Sequence, residues 1–270
     1  MSLKYLLVHL DQSERSATRL ELAASLARQH SAHLLGLFGQ RAQPQRVGVV
    51  ATWPSPNYAA ARDASQTAFQ AACADLPHAE WRDVNRGGDA ELLRHITDLA
   101  RHADLVIMGQ HDAQAPACAP EDLVGDVILG CGRPVLVVPY AGHFPEVGRH
   151  PLIAWNNARE SARALSDSLT LIQGCDEAHV LSFSARLEEG ESSCAEVQRH
   201  LAAHGIRART EVILVENFGI MDLLLNRVSD RSADLLVMGA HAHIGFPFDN
   251  RGTGTRHILR HMTVPVLMSN

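Results

Sequence analysis

The chain has 270 residues, of which 46% are hydrophobic and 20% charged, with a formal net charge of −6 at pH 7. This balance excludes a disordered chain and supplies enough apolar material for one large or two medium cores. With an acidic balance and no long basic run, a nucleic-acid surface lacks electrostatic support.

In chain order, YLLVHL (5–10) is a short and almost continuous apolar run, the pattern of a strand buried on both faces of a parallel sheet. SERSATRLELAASLARQH comes next and places Ala17, Leu20, Ala24 and Ala27 on one side of a helix. SAHLLGLF (31–38) is a second strand. The next segment, RAQPQRVGVVATWPSPNYAAARDA (41–64), has proline-rich turns and no counterpart of that length later in the chain, so it is expected to form a lid or partner surface. GDAELLRHITDLARHA is a second helix, with Leu92, Leu93, Ile96, Leu99 and Ala100 on one side. DLVIMG and PVLVVP (134–139) are further strands. PYAGHFPEVGRHP (139–151) is rich in proline and glycine and lacks periodicity, as a linker should.

The segments after the linker repeat those before it. PLIAWNNARESARALSDSLTLI (151–172) overlays YLLVHLDQSERSATRLELAASLA (5–27) so that Asp11 meets Asn156, Ser16 meets Ser161 and Leu20 meets Leu165. SAHLLGLF answers EAHVLSFS (177–184), HADLVIMGQH (102–111) answers SADLLVMGAH (232–241), and GRPVLVVP (132–139) answers TVPVLMSN (263–270). Matching blocks in one order imply two homologous α/β domains, 1–140 and 151–270, joined by a linker at 141–150, each a doubly wound parallel sheet with right-handed crossovers. Ligands of such sheets bind beyond the carboxyl ends of the strands, where Asp11, Asn156, Gly109 and Gly239 fall.

The scattered cysteines include no C-x-x-C pair, which argues against a disulfide framework or a zinc ribbon and for reduced thiols. The first apolar stretch is broken by His9 and Asp11, and no later run reaches membrane-spanning length; a cytoplasmic protein without membrane contact is expected.

One loop poses the functional question. In LLVMGAHAHIGFPFDNRGTGTRHILRHMTVPVL (235–267), Gly239, Ala242, Gly252 and Thr253 are spaced as small residue, two residues, small residue, nine residues, then Gly-Thr at a helix start. Glycine admits a phosphate close to the backbone, a helix N-terminus offers unpaired N–H groups, and threonine adds a hydroxyl. The same pattern also fits a plain turn with a threonine cap.

With two repeats that each open on a strand ending in Asp or Asn, contain ADLVIMG or ADLLVMG, and close on PVL, the chain resembles the universal stress protein (UspA-like) family in its tandem form. The resemblance covers almost the whole sequence. It implies the tandem doubly wound α/β fold packed as a pseudo-dimer, pairing through the last strands PVLVV and PVLMS, and homo-oligomers formed the same way. In one branch of that family ATP sits on a Gly-x2-Gly-x9-Gly-(Ser/Thr) loop, with an aspartate at the end of the first strand facing the adenosine.

Transferred onto this chain, the second half keeps Gly239, Gly252 and Thr253 at family spacing, with Ala242 for the second glycine and Asn156 for the aspartate. A hydrogen bond to a charged acceptor is worth roughly 1.5–3 kcal/mol against about 0.5–1.5 for a neutral one, so Asn156 implies about a tenfold weaker hold on adenosine. The first half keeps Asp11 and Gly109 but has Asp112 at the second glycine and Glu121 and Asp122 where Gly252 and Thr253 stand. A carboxylate ~5 Å from a phosphate costs on the order of a few kcal/mol, so this half is expected not to bind ATP unless Gly125 supplies a shifted register.

His241, His243, His257 and His261 raise a metal alternative, because His257 and His261 share one helical face. No carboxylate or cysteine stands at a matching interval, so no metal site is expected. His111 and His241 occupy equivalent places, which suggests a shared structural role. Met238 either lies beneath an adenine or fills core, and Trp155 either packs on a ligand or is interior. No nucleophile elbow, lysine-bearing phosphate loop or Ser/His/Asp order is present, so no catalytic residues are assigned and at most a slow ATPase is expected. The expectation is therefore a stress-response regulator or sensor that binds an adenine nucleotide, ATP with or without Mg, through Asn156, Met238, Gly239, Ala242, Gly252 and Thr253. The alternative is a nucleotide-free interaction module acting through unknown protein partners or another small ligand.

Overall fold

A computed structural model describes residues 2–41, 45–47, 50–52, 55–84, 88–114, 118–214, 219–241 and 252–270. The chain divides into two compact units, Leu3–Arg133 and a second made chiefly of Pro134–Asn270. The first unit runs β1 (Tyr5–Leu10), α1 (Arg15–His30), β2 (His33–Phe38), β3 (Gln45–Val47), β4 (Val50–Thr52), α2 (Pro56–Ala72), β5 (Ala79–Asp83), α3 (Asp89–Ala100), β6 (Leu105–Gly109) and α4 (Leu123–Cys131). Its main sheet is ordered β5-β2-β1-β6 and is parallel, while β3 and β4 form a separate antiparallel pair.

The second unit runs β7 (Val135–Val138), β8 (Pro151–Trp155), α5 (Arg159–Ser168), β9 (Ala178–Ser184), α6 (Leu187–Ala203), β10 (Ala208–Leu214), α7 (Ile220–Asp230), β11 (Leu235–Gly239), α8 (Thr253–His261) and β12 (Val266–Ser269). Its sheet is ordered β10-β9-β8-β11-β12-β7, parallel except for β7, which runs antiparallel to β12 with Leu267 opposite Leu136. The closing strands of the two sequence repeats thus pair with each other. Held between β11 and β7, β12 has no open edge for a second copy of the chain.

The continuous apolar runs are central strands because helices cover both their faces. Leu6, Leu7 and Val8 of β1 and Leu235, Leu236 and Val237 of β11 are fully buried. The repeated Ala-Asp-Leu motif has a definite mechanical role in both halves. Asp104 Oδ2 accepts the backbone N–H groups of Lys4 at 2.7 Å and Tyr5 at 3.0 Å. Asp234 likewise accepts those of Arg149 at 2.7 Å and His150 at 2.9 Å. Each aspartate, at the foot of one strand, pins the entry of its neighbour, so β1 aligns with β6 and β8 with β11.

Two local expectations change. Residues 56–64, within the segment expected to form a lid or partner surface, are the start of α2: Ser55 caps it by accepting the Tyr58 N–H at 3.3 Å, and Pro56 sits in the first turn. α2 and its second-half counterpart α6 are both 17 residues long, so the extra length of the first half lies before Ser55. On α1, Ala17 is exposed, and the buried residues are Arg19, Leu20, Leu22, Ala23, Ala24, Leu26 and Ala27. No helix among the described residues is long and apolar enough to cross a membrane. None of the five cysteines is in a disulfide, and burial pushes the Cys73 thiol up to about 11.

Candidate functional site

In the second half, Asn156, Met238 and Gly239 lie at the carboxyl ends of β8 and β11. Asn156 directly follows β8, and its Oδ1 accepts the Ala158 N–H at 3.2 Å, forming a turn that leads into α5. The same turn occurs in the first half, where Asp11 Oδ1 accepts the Ser13 N–H at 2.8 Å. Asn156 is half-buried, so one of its oxygen lone pairs serves the fold while its amide group can still face a ligand.

Gly239 ends β11 beneath the first turn of α5. A side chain there would stand 2.6 Å from the backbone carbon of Glu160 and the nitrogen of Ser161, so this glycine lets α5 pack on the sheet. Met238 is buried at 6% exposure and paired in register with Met268, as a core residue would be. Trp155 is interior, 7% exposed, with its indole N–H donated to Ser193 Oγ at 2.8 Å. Beside it an open groove is lined by Asn157, Glu188, Glu189, Ser192 and Glu196. Three carboxylates make that groove a poor place for phosphates.

The questioned loop starts and ends at one point. The His241 backbone N–H donates to Thr255 Oγ1 at 2.8 Å, tying the residue after Ala240 to the first turn of α8. Gly252 precedes that helix in the left-handed region, φ 89°, and an added Cβ would lie 2.6 Å from His241 Nδ1. Gly252 is buried beneath the His241 ring, whereas Thr253 is exposed at the helix start. Ala242 and His243 lie outside the described residues. α8 opens Thr-Gly-Thr-Arg with no acidic residue in its first turn. Its leading N–H groups and the positive end of its dipole therefore meet no carboxylate from the helix itself.

The first half differs at each of these points. α4 begins after Asp122 and carries Asp126 in its first turn, with Glu121 and Asp122 both exposed. Gly125 is an ordinary helical residue with nothing within 4 Å of an added Cβ, so it does not restore a phosphate loop in a shifted register. His241 has a left-handed backbone, φ 56°, which His111 does not share, so the two histidines differ in backbone conformation.

Arg19 is the residue that periodicity and spacing do not reveal. Its Nη2 lies 2.9 Å from Asp11 Oδ2, with the two side chains 5% and 9% exposed, and donates to Ser16 Oγ at 2.7 Å. Burial alone would raise the Asp11 carboxyl, but Arg19, His9 and the Ser13 hydrogen bonds outweigh it and hold the group far below the usual carboxylate range. The available signal is a cation inside an apolar stripe, four and eight residues before Ala23 and Ala27.

The histidine pair on α8 does acquire a carboxylate, from outside its own helix. His257 Nε2 lies 2.8 Å from Asp222 Oδ1 of α7, and the His257 and His261 rings are 4.6 Å apart. Among the described residues, no three His, Cys, Asp or Glu side chains are arranged to hold a metal ion.

No family profile matches the sequence, and no curated protein matches it. Solved structures do match. A universal stress protein from Archaeoglobus fulgidus DSM 4304 superposes with a TM-score of 0.74 at 15% identity, covering 100% of this chain and 97% of that one. A candidate universal stress protein from Pseudomonas aeruginosa UCBPP-PA14 gives 0.59 at 18% identity, over 99% of this chain and 93% of that one. A protein of unknown function from Pseudomonas aeruginosa PAO1 gives 0.57 at 18% identity, over 99% and 92%. With the alternating order of strands and helices in both units, these matches show that the chain has the tandem, doubly wound α/β fold of the universal stress proteins.

Proposed function

We propose that this chain is a stress-response regulator of the universal stress protein kind that binds an adenine nucleotide, ATP with or without Mg, in its second half. The observation that carries the reading is the start of α8, a glycine-led helix terminus with an exposed Thr253, no acid in its first turn, and a hydrogen bond from His241, just after β11, to Thr255. That is an anion-favouring end. Asn156 and Gly239 lie at the adjoining strand ends, as expected of a ligand bound across the sheet's carboxyl edge. The output would pass through conformation or protein partners.

A second reading has its own support. Gly252 and Gly239 both have packing reasons to be glycine, His241 for one and α5 for the other, that need no ligand. A nucleotide-free interaction module would keep both. The deciding experiment is the shift in thermal unfolding with millimolar Mg-ATP on the wild type and on Thr253→Glu. The added carboxylate suits a helix N-terminus but repels a phosphate, and each protein's own midpoint without nucleotide is its reference. A ligand at ~100 times its dissociation constant stabilises by about 2.7 kcal/mol. A wild-type shift that Thr253→Glu removes supports nucleotide binding at α8. No shift in the wild type favours the interaction module, and an equal shift in both would place the nucleotide elsewhere.

A further inference from the structure

The first half carries a buried charge pair at the place where the second half has neither charge. Arg19 reaches from α1 to Asp11 beyond the end of β1, and its guanidinium lies against Gly109 at the end of β6. A Cβ on Gly109 would stand 1.8 Å from Arg19 Nη1 and 2.8 Å from Cζ, so the absent side chain makes the room the guanidinium fills. Asp11 is itself held in place: Oδ1 accepts from the Ser13 N–H at 2.8 Å, from the Ser13 hydroxyl and from Ser16 Oγ at 3.0 Å, leaving Oδ2 to Arg19. Arg19 Nε is buried without a hydrogen-bond partner.

In the aligned repeat, Asp11 corresponds to Asn156 and Arg19 to Ala164. There Gly239 meets the backbone of α5 in place of a guanidinium. Carboxylate, cation and the space between them are thus all present in one half and all missing from the other. A buried ion pair behaves this way, because removing one partner strands the other charge.

We propose that Arg19 is an intramolecular ligand: it fills a guanidinium-binding site formed by Asp11, Ser16 and Gly109 at the strand ends of the first half, which is therefore permanently occupied. The occupied site holds α1 away from β6 by the thickness of a side chain, keeps the Asp11 carboxylate from any outside ligand, and leaves the first half independent of small-molecule supply. This inference does not rest on nucleotide binding by the second half and stands whichever way the Mg-ATP experiment falls.

The test is to cut the ligand away and offer it back. Arg19→Ala, which installs the residue of the second half, should lower the unfolding midpoint by roughly 5–10 °C. Millimolar methylguanidinium chloride should return more than half of that loss, while equimolar sodium chloride or methylammonium chloride should not. Calorimetry should give one site. The double variant Asp11→Asn/Arg19→Ala, which rebuilds the neutral pair of the second half, should be more stable than Arg19→Ala and indifferent to methylguanidinium. If methylguanidinium treats Arg19→Ala as sodium does, or stabilises the double variant equally, the idea is overturned. Should Arg19→Ala not fold alone, refolding with methylguanidinium reads the same question: soluble protein recovered supports the site, and none recovered refutes it.

Discussion

The His241 backbone N–H donates to the Thr255 hydroxyl at 2.8 Å, and this contact ties the end of β11 to the first turn of α8. Thr255 is 3% exposed, so its loss strands a buried donor. Thr255→Val, which keeps the shape and removes the acceptor, should cost about 1–3 kcal/mol. Under the nucleotide reading, it should also weaken the stabilisation by Mg-ATP. Paired thermal scans with and without nucleotide separate the two effects, and an unchanged midpoint would show that the contact contributes nothing to stability.

Gly252 and Gly125 are both glycines near helix starts, yet they should respond oppositely to alanine. Gly252 has φ 89° and a crowded Cβ position beside His241 Nδ1, so Gly252→Ala should destabilise by about 1–3 kcal/mol. Gly125 lies within α4 with open space around its Cβ position, so Gly125→Ala should stabilise by about 0.5–1 kcal/mol. Chemical denaturation of the two variants checks both signs.

The Ala-Asp-Leu aspartates should be stability residues in both halves. Each takes two backbone N–H groups of the neighbouring strand, so Asp104→Ala and Asp234→Ala should each cost about 1.5–3 kcal/mol. The two aspartates share no partner and sit in separate units, so the losses should add in the double variant. Unfolding curves of the singles and the double measure this. Strong non-additivity would mean that the two units do not unfold independently of each other's strand registers.

The legibility of each element in the sequence depends on its geometry. Central strands such as β1, β6, β8 and β11 are legible because burial on both faces leaves continuous apolar runs, and the repeat presents each pattern twice. β5 (AEWRD) and β10 (ARTEVIL) are edge strands with exposed and half-exposed residues, so no apolar run marks them. α2 is hidden by a Ser-Pro-Asn start that resembles a turn as much as a cap. In the candidate site, the glycine spacing is visible but its cause is not. Periodicity cannot tell a glycine that admits a phosphate from one that admits α5, a histidine ring or a guanidinium. Nor does it place Arg19 against Asp11, since that contact depends on how α1 sits over β6.

Acid should act on the first half in two steps. His9 is 3% exposed, and its Nε2 lies 2.7 Å from the Gly39 carbonyl, which fits a neutral ring donating that proton. Burial is the main cause that lowers its pKa below 6.5, against the opposing pull of Asp11. Below about pH 6.5 the unfolded chain takes up a proton that the folded chain refuses, so this group reduces stability as pH falls from there toward its folded value. Asp11 adds a second step. Its folded pKa is depressed, so its contribution is complete above the unfolded carboxylate pKa near 3.8 and is lost as pH falls below that. His9→Gln, whose amide can still donate to Gly39, should therefore flatten the stability profile below about pH 6.5, by at most about 1.4 kcal/mol per pH unit. Asp11→Asn/Arg19→Ala should flatten the limb below about pH 4. Denaturation midpoints measured across pH 3–7 for wild type and both variants test the division: if His9→Gln changes only the acid limb, burial is not what holds His9 neutral.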